Sequence, residues 1–235
     1  MKTLKLAVFD LDGTLSPLGK GMTFENMLRL RILEDNGVSV AVCSGKCTYY
    51  LCGYLRQVGL RTPLMVGENG AAIQIGIDLP PQHYEILPYD KRFDDARRIV
   101  SDFLHERFPD IWYQPNEIVL TPFPNTETEF DEIAAFLETR KSELQGLDVY
   151  RHSDSFDLVP KGSSKKNGLK RLTELLGIEP DEVAAVGDGV NDYSMFEFAG
   201  LALGINFPDE KAVDKNFNTI DEALTYCITL SARSL

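Results

Sequence analysis

The segment AVFDLDGTL, residues 7–15, joins an apolar run to two carboxylates. The apolar run is typical of a buried β-strand, and Asp10 and Asp12 follow it beside a Gly-Thr turn. Two like charges in a buried setting are costly unless a cation joins them. The segment therefore predicts a strand that ends in an acidic site with a bound cation.

The composition is that of an ordinary globular protein with an acidic surface. The 235 residues are 43% hydrophobic and 26% charged, and the formal net charge is −12 with a pI near 4.7. Such a charge repels nucleic acids and anionic membranes at long range, so we expect neither as a partner. Asp10 interrupts the short apolar stretch near the N-terminus before a signal-peptide core forms, and no apolar run approaches the roughly 20 residues of a membrane span. We expect a cytoplasmic protein.

The pattern of predicted elements divides the chain into two interleaved parts. Residues 1–80 read as β-α-β-α-β, with continuous apolar strands that are typical of a parallel sheet covered on both faces. Residues 81–156 are more amphipathic and predict two helices and about four antiparallel strands. The first pattern returns in residues 157–235, where NDYSMFEFAG (191–200) is expected to be a helix and LALGI (201–205) the last strand. We therefore predict an α/β fold with a Rossmann-like, doubly wound parallel-sheet core and an inserted small α+β cap.

Polar residues follow several of the predicted core strands directly. Asp10 and Asp12 follow the first strand, Ser44 the second and Asp188 a later one, with Asp192 at the start of the next helix. Each of these alone is more often a turn or helix-capping residue. In an open parallel sheet, however, ligands bind outside the carboxyl ends of the strands. The joint arrangement predicts that these side chains share one site.

Four carboxylates in one site need a counter-charge, and without it they would repel a phosphate group. Mg²⁺ prefers oxygen ligands and commonly bridges carboxylates to phosphate. Lys165 and Lys166 open a predicted helix, whose N-terminal amides also favour an anion, although either lysine could simply be solvated. These features predict a magnesium site that receives a phosphate group.

Five motifs resemble the haloacid dehalogenase superfamily, and within it the Cof-like phosphatases of subfamily IIB with an inserted α+β cap. They are DLDGTL (residues 10–15), SGK (44–46), GENGAAI (67–73), PKGSSKKNGL (160–169) and GDGVNDYSMF (187–196). The second motif, SGK, has lysine where the family more often has arginine. In the segment PKGSSKKNGL, alignment from Pro160 favours Lys165 as the phosphate-binding lysine, but Lys166 also stays open. The resemblance covers essentially the whole chain.

The resemblance implies a role for each matching residue. Asp10 would be the nucleophile that forms an aspartyl-phosphate, and Asp12 the general acid and then the general base. Ser44, Gly45 and Lys165 would hold phosphoryl oxygens, and Asn191 would orient the cluster or touch phosphate. Mg²⁺ would be bound by Asp10, the backbone carbonyl of Asp12, Asp188 and Asp192, the last directly or through water.

We expect a magnesium-dependent phosphatase that acts on a small phosphorylated metabolite such as a sugar phosphate or phosphoglycolate. A phosphomutase on the same fold is the alternative, and a non-catalytic metabolite-binding module is a third. Substrate contacts would come from the cap, where the candidates are Tyr113, Glu117, Arg151 and His152.

Overall fold

The computed structural model, which describes residues 3–232, contains an eight-stranded sheet and two two-stranded sheets. The two ends of the predicted core, residues 1–2 and 233–235, lie outside the described residues. In chain order the strands are β1 (Leu6–Phe9), β2 (Ser39–Cys43), β3 (Leu64–Gly67), β4 (Ala72–Ile75), β5 (His83–Ile86), β6 (Trp112–Tyr113), β7 (Pro122–Phe123), β8 (Leu147–Arg151), β9 (Phe156–Pro160), β10 (Val183–Gly187), β11 (Leu201–Ile205) and β12 (Lys215–Phe217).

Helices connect and cover these strands. They are α1 (Phe24–Asp35), α2 (Thr48–Val58), α3 (Arg92–Arg107), α4 (Glu127–Thr139), α5 (Lys165–Leu176), α6 (Tyr193–Phe196) and α7 (Ile220–Ala232). Short 3₁₀ turns lie at Glu68–Gly70, Pro180–Glu182 and Val190–Asp192. In the described part of the chain, no helix combines the length and the apolar character needed to cross a bilayer.

The large sheet is parallel except at one edge. Its strand order is β12-β11-β10-β1-β2-β3-β4-β5, and only β4 runs opposite to the other strands, so that it pairs antiparallel with both β3 and β5. Residues of α1, α2 and α7 pack on one face, and residues of α5 and α6 pack on the other. The predicted doubly wound α/β core is confirmed. The strand order reverses at β1, which lies between β10 and β2, and such a switch point is where open sheets bind ligands.

The segment between β5 and α5 has an apolar core of its own. Two helices, α3 and α4, pack on two small antiparallel sheets, β6–β7 and β8–β9, around residues such as Phe93, Leu104, Ile133 and Phe156. We propose that this segment is the cap, which was expected at residues 81–156. Its boundaries would lie after β5 and after β9, because β5 pairs within the large sheet and β9 pairs with β8.

Two local expectations were wrong. The strand LALGI, which is β11, was predicted to be the last, but β12 follows it at the sheet edge. This strand was missed because it is short and carries polar residues, which suit an edge. The helix predicted over residues 191–200 is reduced to α6, which is preceded by a 3₁₀ turn. The turn forms because the Asp192 carboxylate accepts the backbone N–H groups of Asp188 and Gly189, just before it.

One turn of the core holds the cap at two places. Glu68 and Asn69 follow β3 in the left-handed conformation, with φ of 53° and 54°. The buried Glu68 carboxylate accepts three backbone N–H bonds, at 2.8–2.9 Å, from cap residues 117, 118 and 119. The Asn69 side-chain amide donates to Asp157 of β9 at 2.7 Å. The strained turn is therefore a docking point for the cap.

Glu68→Gln is expected to lower the free energy of unfolding by about 2 kcal/mol, because a neutral amide accepts fewer and weaker bonds from the three N–H groups. Urea denaturation measures this change. Glu143→Gln, an exposed and ion-paired glutamate, is the matched control and should change stability by less than about 0.5 kcal/mol. Equal effects of the two substitutions would contradict the docking role.

Candidate active site

Three of the four carboxylates predicted to share a site lie together at the switch point. Asp10 follows β1 and Asp188 follows the neighbouring β10, and the Asp10 N–H donates to the Val186 carbonyl at 2.9 Å. One carboxylate oxygen from each of Asp10, Asp188 and Asp192 lies within 4.8 Å of the others. Ligands on opposite sides of one small divalent cation are about 4–5 Å apart. The spacing of this acid cluster fits a single ion.

Lys165 is the lysine of the pair that reaches the acid cluster. Its ammonium nitrogen is 2.6 Å from Asp10 Oδ1 and 2.6 Å from Asp192 Oδ1, and the residue is only 1% exposed. Lys166 instead forms an exposed ion pair with Glu197 at 3.1 Å. Of the two open candidates, Lys165 is therefore the one that contacts the acids, and its role in binding phosphate stays a prediction.

Two glycines allow the N-terminal end of α5 to come close enough for this contact. A Cβ on Gly168 would lie 2.4 Å from Val66 Cγ1 and 2.7 Å from the Gly70 Cα. A Cβ on Gly70 would lie 2.0 Å from the carbonyl oxygen of Ser164, the residue that caps α5. Any larger residue at either position would push the helix, and Lys165 with it, away from the acids.

The acid cluster carries more negative charge than one lysine balances. Burial raises the pKa of Asp10 to about 7; Lys165 opposes this rise, whereas Asp192 and Asp188 add to it. Burial also raises the pKa of Asp188. Burial alone would lower the pKa of Lys165, but the Asp10 and Asp192 carboxylates outweigh that effect and raise it. A hard divalent cation among these oxygen donors would remove the excess charge, so the residues present fit Mg²⁺.

Hydrogen bonds fix the orientation of the other two acids. The Thr14 hydroxyl donates to Asp188 Oδ1 at 2.6 Å. Asp192 Oδ2 accepts the backbone N–H groups of Asp188 and Gly189, both at 3.0 Å, while its other oxygen accepts from Lys165. Thr14 was not predicted as a site residue, although it belongs to the first motif.

The loop after β2 contacts both Asp12 and the cap. Ser44 is buried, and its hydroxyl accepts the Lys46 N–H at 3.3 Å. The Lys46 ammonium donates to cap residue Gln114 at 2.9 Å and lies 3.7 Å from Asp12 Oδ2. The side chain of Gln114 also donates to the Gly45 carbonyl at 3.0 Å. The Asp12 carboxylate thus faces Lys46 and is not in the acid cluster; its backbone carbonyl as a metal ligand stays a prediction.

A cavity of about 350 Å³ leads from Lys165 to the cap. Besides Lys165, the predicted site residues Asn191, Arg151 and His152 line it. Tyr113 and Glu117 do not: the Tyr113 ring stacks on His105, and the Glu117 carboxylate accepts a hydrogen bond from Tyr84. The four cap candidates therefore separate into two that border the cavity and two that lie elsewhere.

Sequence reasoning missed the residue to which His152 is bound. His152 Nε2 is 3.1 Å from Asp157 Oδ2, and the same carboxylate accepts bonds from Asn69 and Thr121, both at 2.7 Å. Asp157 is buried within β9 in the apolar segment FDLVP. An acid at a buried position of an apolar strand was the available signal, because such a group needs partners.

Comparison with known proteins identifies the family. The family profile described as haloacid dehalogenase-like hydrolase matches residues 7–95 and 105–215. The chain is 27% identical over 220 residues to a phosphoglycolate phosphatase from Methanosarcina acetivorans, with 93% of this chain and 90% of the relative covered. It is 25% identical over 260 residues to the 5-amino-6-(5-phospho-D-ribitylamino)uracil phosphatase YwtE of Bacillus subtilis, with 90% of each covered.

Solved structures show the same fold. A haloacid dehalogenase-like hydrolase from Bacteroides thetaiotaomicron superposes with a TM-score of 0.74 at 22% identity, covering 99% of this chain and 100% of that one. These findings confirm the resemblance to the haloacid dehalogenase superfamily and its Cof-like, subfamily IIB phosphatases. The chain belongs to the haloacid dehalogenase-like hydrolases and is a phosphatase of that family.

Proposed function

We propose that this phosphatase is magnesium-dependent and hydrolyses a small phosphorylated metabolite through an aspartyl-phosphate on Asp10. The observation that carries the proposal is the contact of the buried Asp10 with Lys165 inside a cluster of three acids at the switch point of the sheet. The cavity of about 350 Å³ suits a compact substrate. Relatives that act on phosphoglycolate and on a phosphoribitylamino-uracil support a small phosphate monoester.

In the first step, an Asp10 carboxylate oxygen forms a bond to phosphorus while the bond to the ester oxygen breaks. Asp12 gives its proton to the leaving alkoxide. In the second step, Asp12 takes a proton from water, the resulting oxygen attacks phosphorus, and Asp10 leaves as a carboxylate. Lys165 and the Ser44–Gly45 loop hold the phosphoryl oxygens in line for both displacements.

Asp10, Asp188 and Asp192 would hold Mg²⁺ through their carboxylates, together with the backbone carbonyl of Asp12. When bound, the ion supplies positive charge that lets a phosphate dianion approach the acids and stabilises charge on the transferring group. Thr14 keeps the Asp188 carboxylate oriented toward the cluster. Lys165 does the same for Asp10 and Asp192.

Asp10→Asn is expected to reduce phosphate release by on the order of 10⁴-fold, because an amide oxygen is a poor nucleophile toward phosphorus. The assay follows phosphate from p-nitrophenyl phosphate, and acid quenching with radiolabelled acetyl phosphate tests for label retained on the protein. Asp35→Asn, an exposed aspartate in α1, is the control and should behave like the parent protein. Label retained equally by Asp10→Asn would contradict the assignment.

Lys165→Met is expected to lower kcat/KM by about 100- to 1,000-fold, since it removes a buried cation that contacts the nucleophile. Lys166→Met is the matched control: the neighbouring lysine is exposed, and its loss should change kcat/KM by less than about threefold. Circular dichroism verifies that both variants are folded. A larger loss for Lys166→Met than for Lys165→Met would overturn the choice between the two lysines.

Removal of divalent metal with EDTA is expected to abolish phosphate release, and added Mg²⁺ should restore it, because the acids alone repel the substrate dianion. Asp188→Asn should raise the Mg²⁺ concentration needed for half-maximal activity, since it removes one ligand charge from the cluster. Full activity in EDTA would contradict the metal requirement. Analysis of the products for free phosphate distinguishes hydrolysis from isomerisation of a phosphosugar.

A further inference from the structure

Helix α1 carries apolar side chains on its outer face as well as on its buried face. Leu30 and Leu33 are buried in the core against the large sheet. On the outer face, Phe24, Leu28 and Ile32 are 68%, 38% and 43% exposed. Single exposed apolar residues are ordinary, but contiguous ones mark an interaction surface. Because a helix that is apolar all round is normally covered all round, the outer face of α1 has the character of an interface.

The three exposed side chains form one apolar ridge along the helix surface. Phe24, Leu28 and Ile32 are four residues apart, which places them in a single row. Helices α2 and α7 flank α1 but leave this row exposed. Ridges of four-residue spacing pack beside the same kind of ridge on a second helix, with the two axes inclined by about 50°. Another copy of α1 therefore offers the grooves that the apolar ridge fits.

Two exposed charges flank the apolar ridge at its centre. Glu25 lies three residues before Leu28, and Arg31 lies three residues after it. At about 100° per residue, the two charges lie on opposite sides of the ridge, each about 60° from Leu28. Within residues 3–232 neither forms an ion pair, whereas Arg29 and Asp35 of the same helix do. The ridge is thus bordered by an acid on one side and a base on the other.

This arrangement of charges is complementary to itself. A two-fold axis that runs along the apolar ridge at Leu28 exchanges the two sides of the ridge. The Glu25 carboxylate of one copy then faces the Arg31 guanidinium of the other, and a second such pair forms across the ridge. Two-fold dimers are the commonest symmetric assemblies, and their interfaces require this kind of self-complementarity. The face of α1 meets that requirement in both shape and charge.

We propose that the outer face of α1 is the interface of a two-fold homodimer, with the apolar ridge at its centre and a Glu25–Arg31 ion pair on each side. The occupant is a second copy of this chain, because the charges on the face match the face itself. The net charge of −12 disfavours an anionic membrane as the occupant. One helix from each copy buries less area than a standard interface, so the dissociation constant should be on the order of 10–100 µM.

Sedimentation equilibrium of the full chain tests the dimer, at concentrations from about tenfold below to about tenfold above this dissociation constant. The parent protein should pass from monomer to dimer over that range. Leu28→Asp should weaken the dimer by on the order of 100-fold, because it places two carboxylates together at the two-fold axis. Leu79→Asp is the matched control: this side chain is also apolar and exposed, but it precedes β5, and its loss should leave the dissociation constant unchanged.

Two charge reversals test the two-fold arrangement. Glu25→Arg alone and Arg31→Glu alone should each weaken the homodimer by on the order of tenfold, because like charges then meet in both pairs. An equimolar mixture of the two variants has opposite charges in both pairs again. A heterodimer should therefore form in the mixture with about the dissociation constant of the parent, and its recovery shows that both variants are folded.

The outcomes decide between this interface and other occupants. A parent protein that stays monomeric over the whole range would overturn the proposal, and the apolar ridge would then belong to a different partner. A dimer that is equally stable in the parent and in Leu28→Asp would overturn it as well, because another face would form that dimer. Loss of the dimer in both charge reversals without recovery in their mixture would overturn the two-fold arrangement. None of these measurements involves phosphate release, so the inference is independent of the proposed function.

Discussion

The rest of the site depends on one buried contact, the Lys165 ammonium shared by Asp10 and Asp192. Removing these charges from water costs several kcal/mol for each ion, and only close pairing in good geometry offsets that cost. A single lysine cannot balance three acids, so the arrangement retains a negative excess and an affinity for a cation. That imbalance is what fits the cluster to a metal and then to a phosphate group.

The neighbouring structure explains how this contact is maintained. Gly70 and Gly168 remove the side chains that would keep α5 away from the sheet, and the Asp192 carboxylate is anchored by backbone amides of its own turn. Thr14 anchors Asp188 in the same way. Each acid therefore has at least one oxygen engaged by the protein's own donors, which limits its freedom to swing out of the cluster.

The cap is held by two core segments beside the acids, the turn after β3 and the loop after β2, which is expected to hold phosphate. Glu68 and Asn69 bind it from one turn, and Gln114 reaches back to Gly45 and Lys46. These contacts fix the position of the cap relative to that loop.

The parts of the structure that were predictable from the sequence are local or periodic. The apolar run before Asp10 indicates a buried strand, and the helices before Gly59 and Gly177 end where left-handed glycines stop them. The strand β12 was not predicted because an edge strand of three residues is too short to show a hydrophobic pattern. Glu68 and Asp157 were not predicted because most of their partners lie 36 to 88 residues away in sequence, as the bonds to Thr121, Val119 and Asn69 show.

The sequence by itself determined the fold class, the family motifs and the acids that follow strand ends, because these depend on residue order and on short-range periodicity. Tertiary structure decided that Lys165 and not Lys166 is buried among the acids, that Asp12 faces Lys46, and that His152 is paired with Asp157. The reason is physical: hydrophobic patterning specifies which face of a segment is buried, whereas the partner of a buried charge is set by three-dimensional packing between segments remote in the chain.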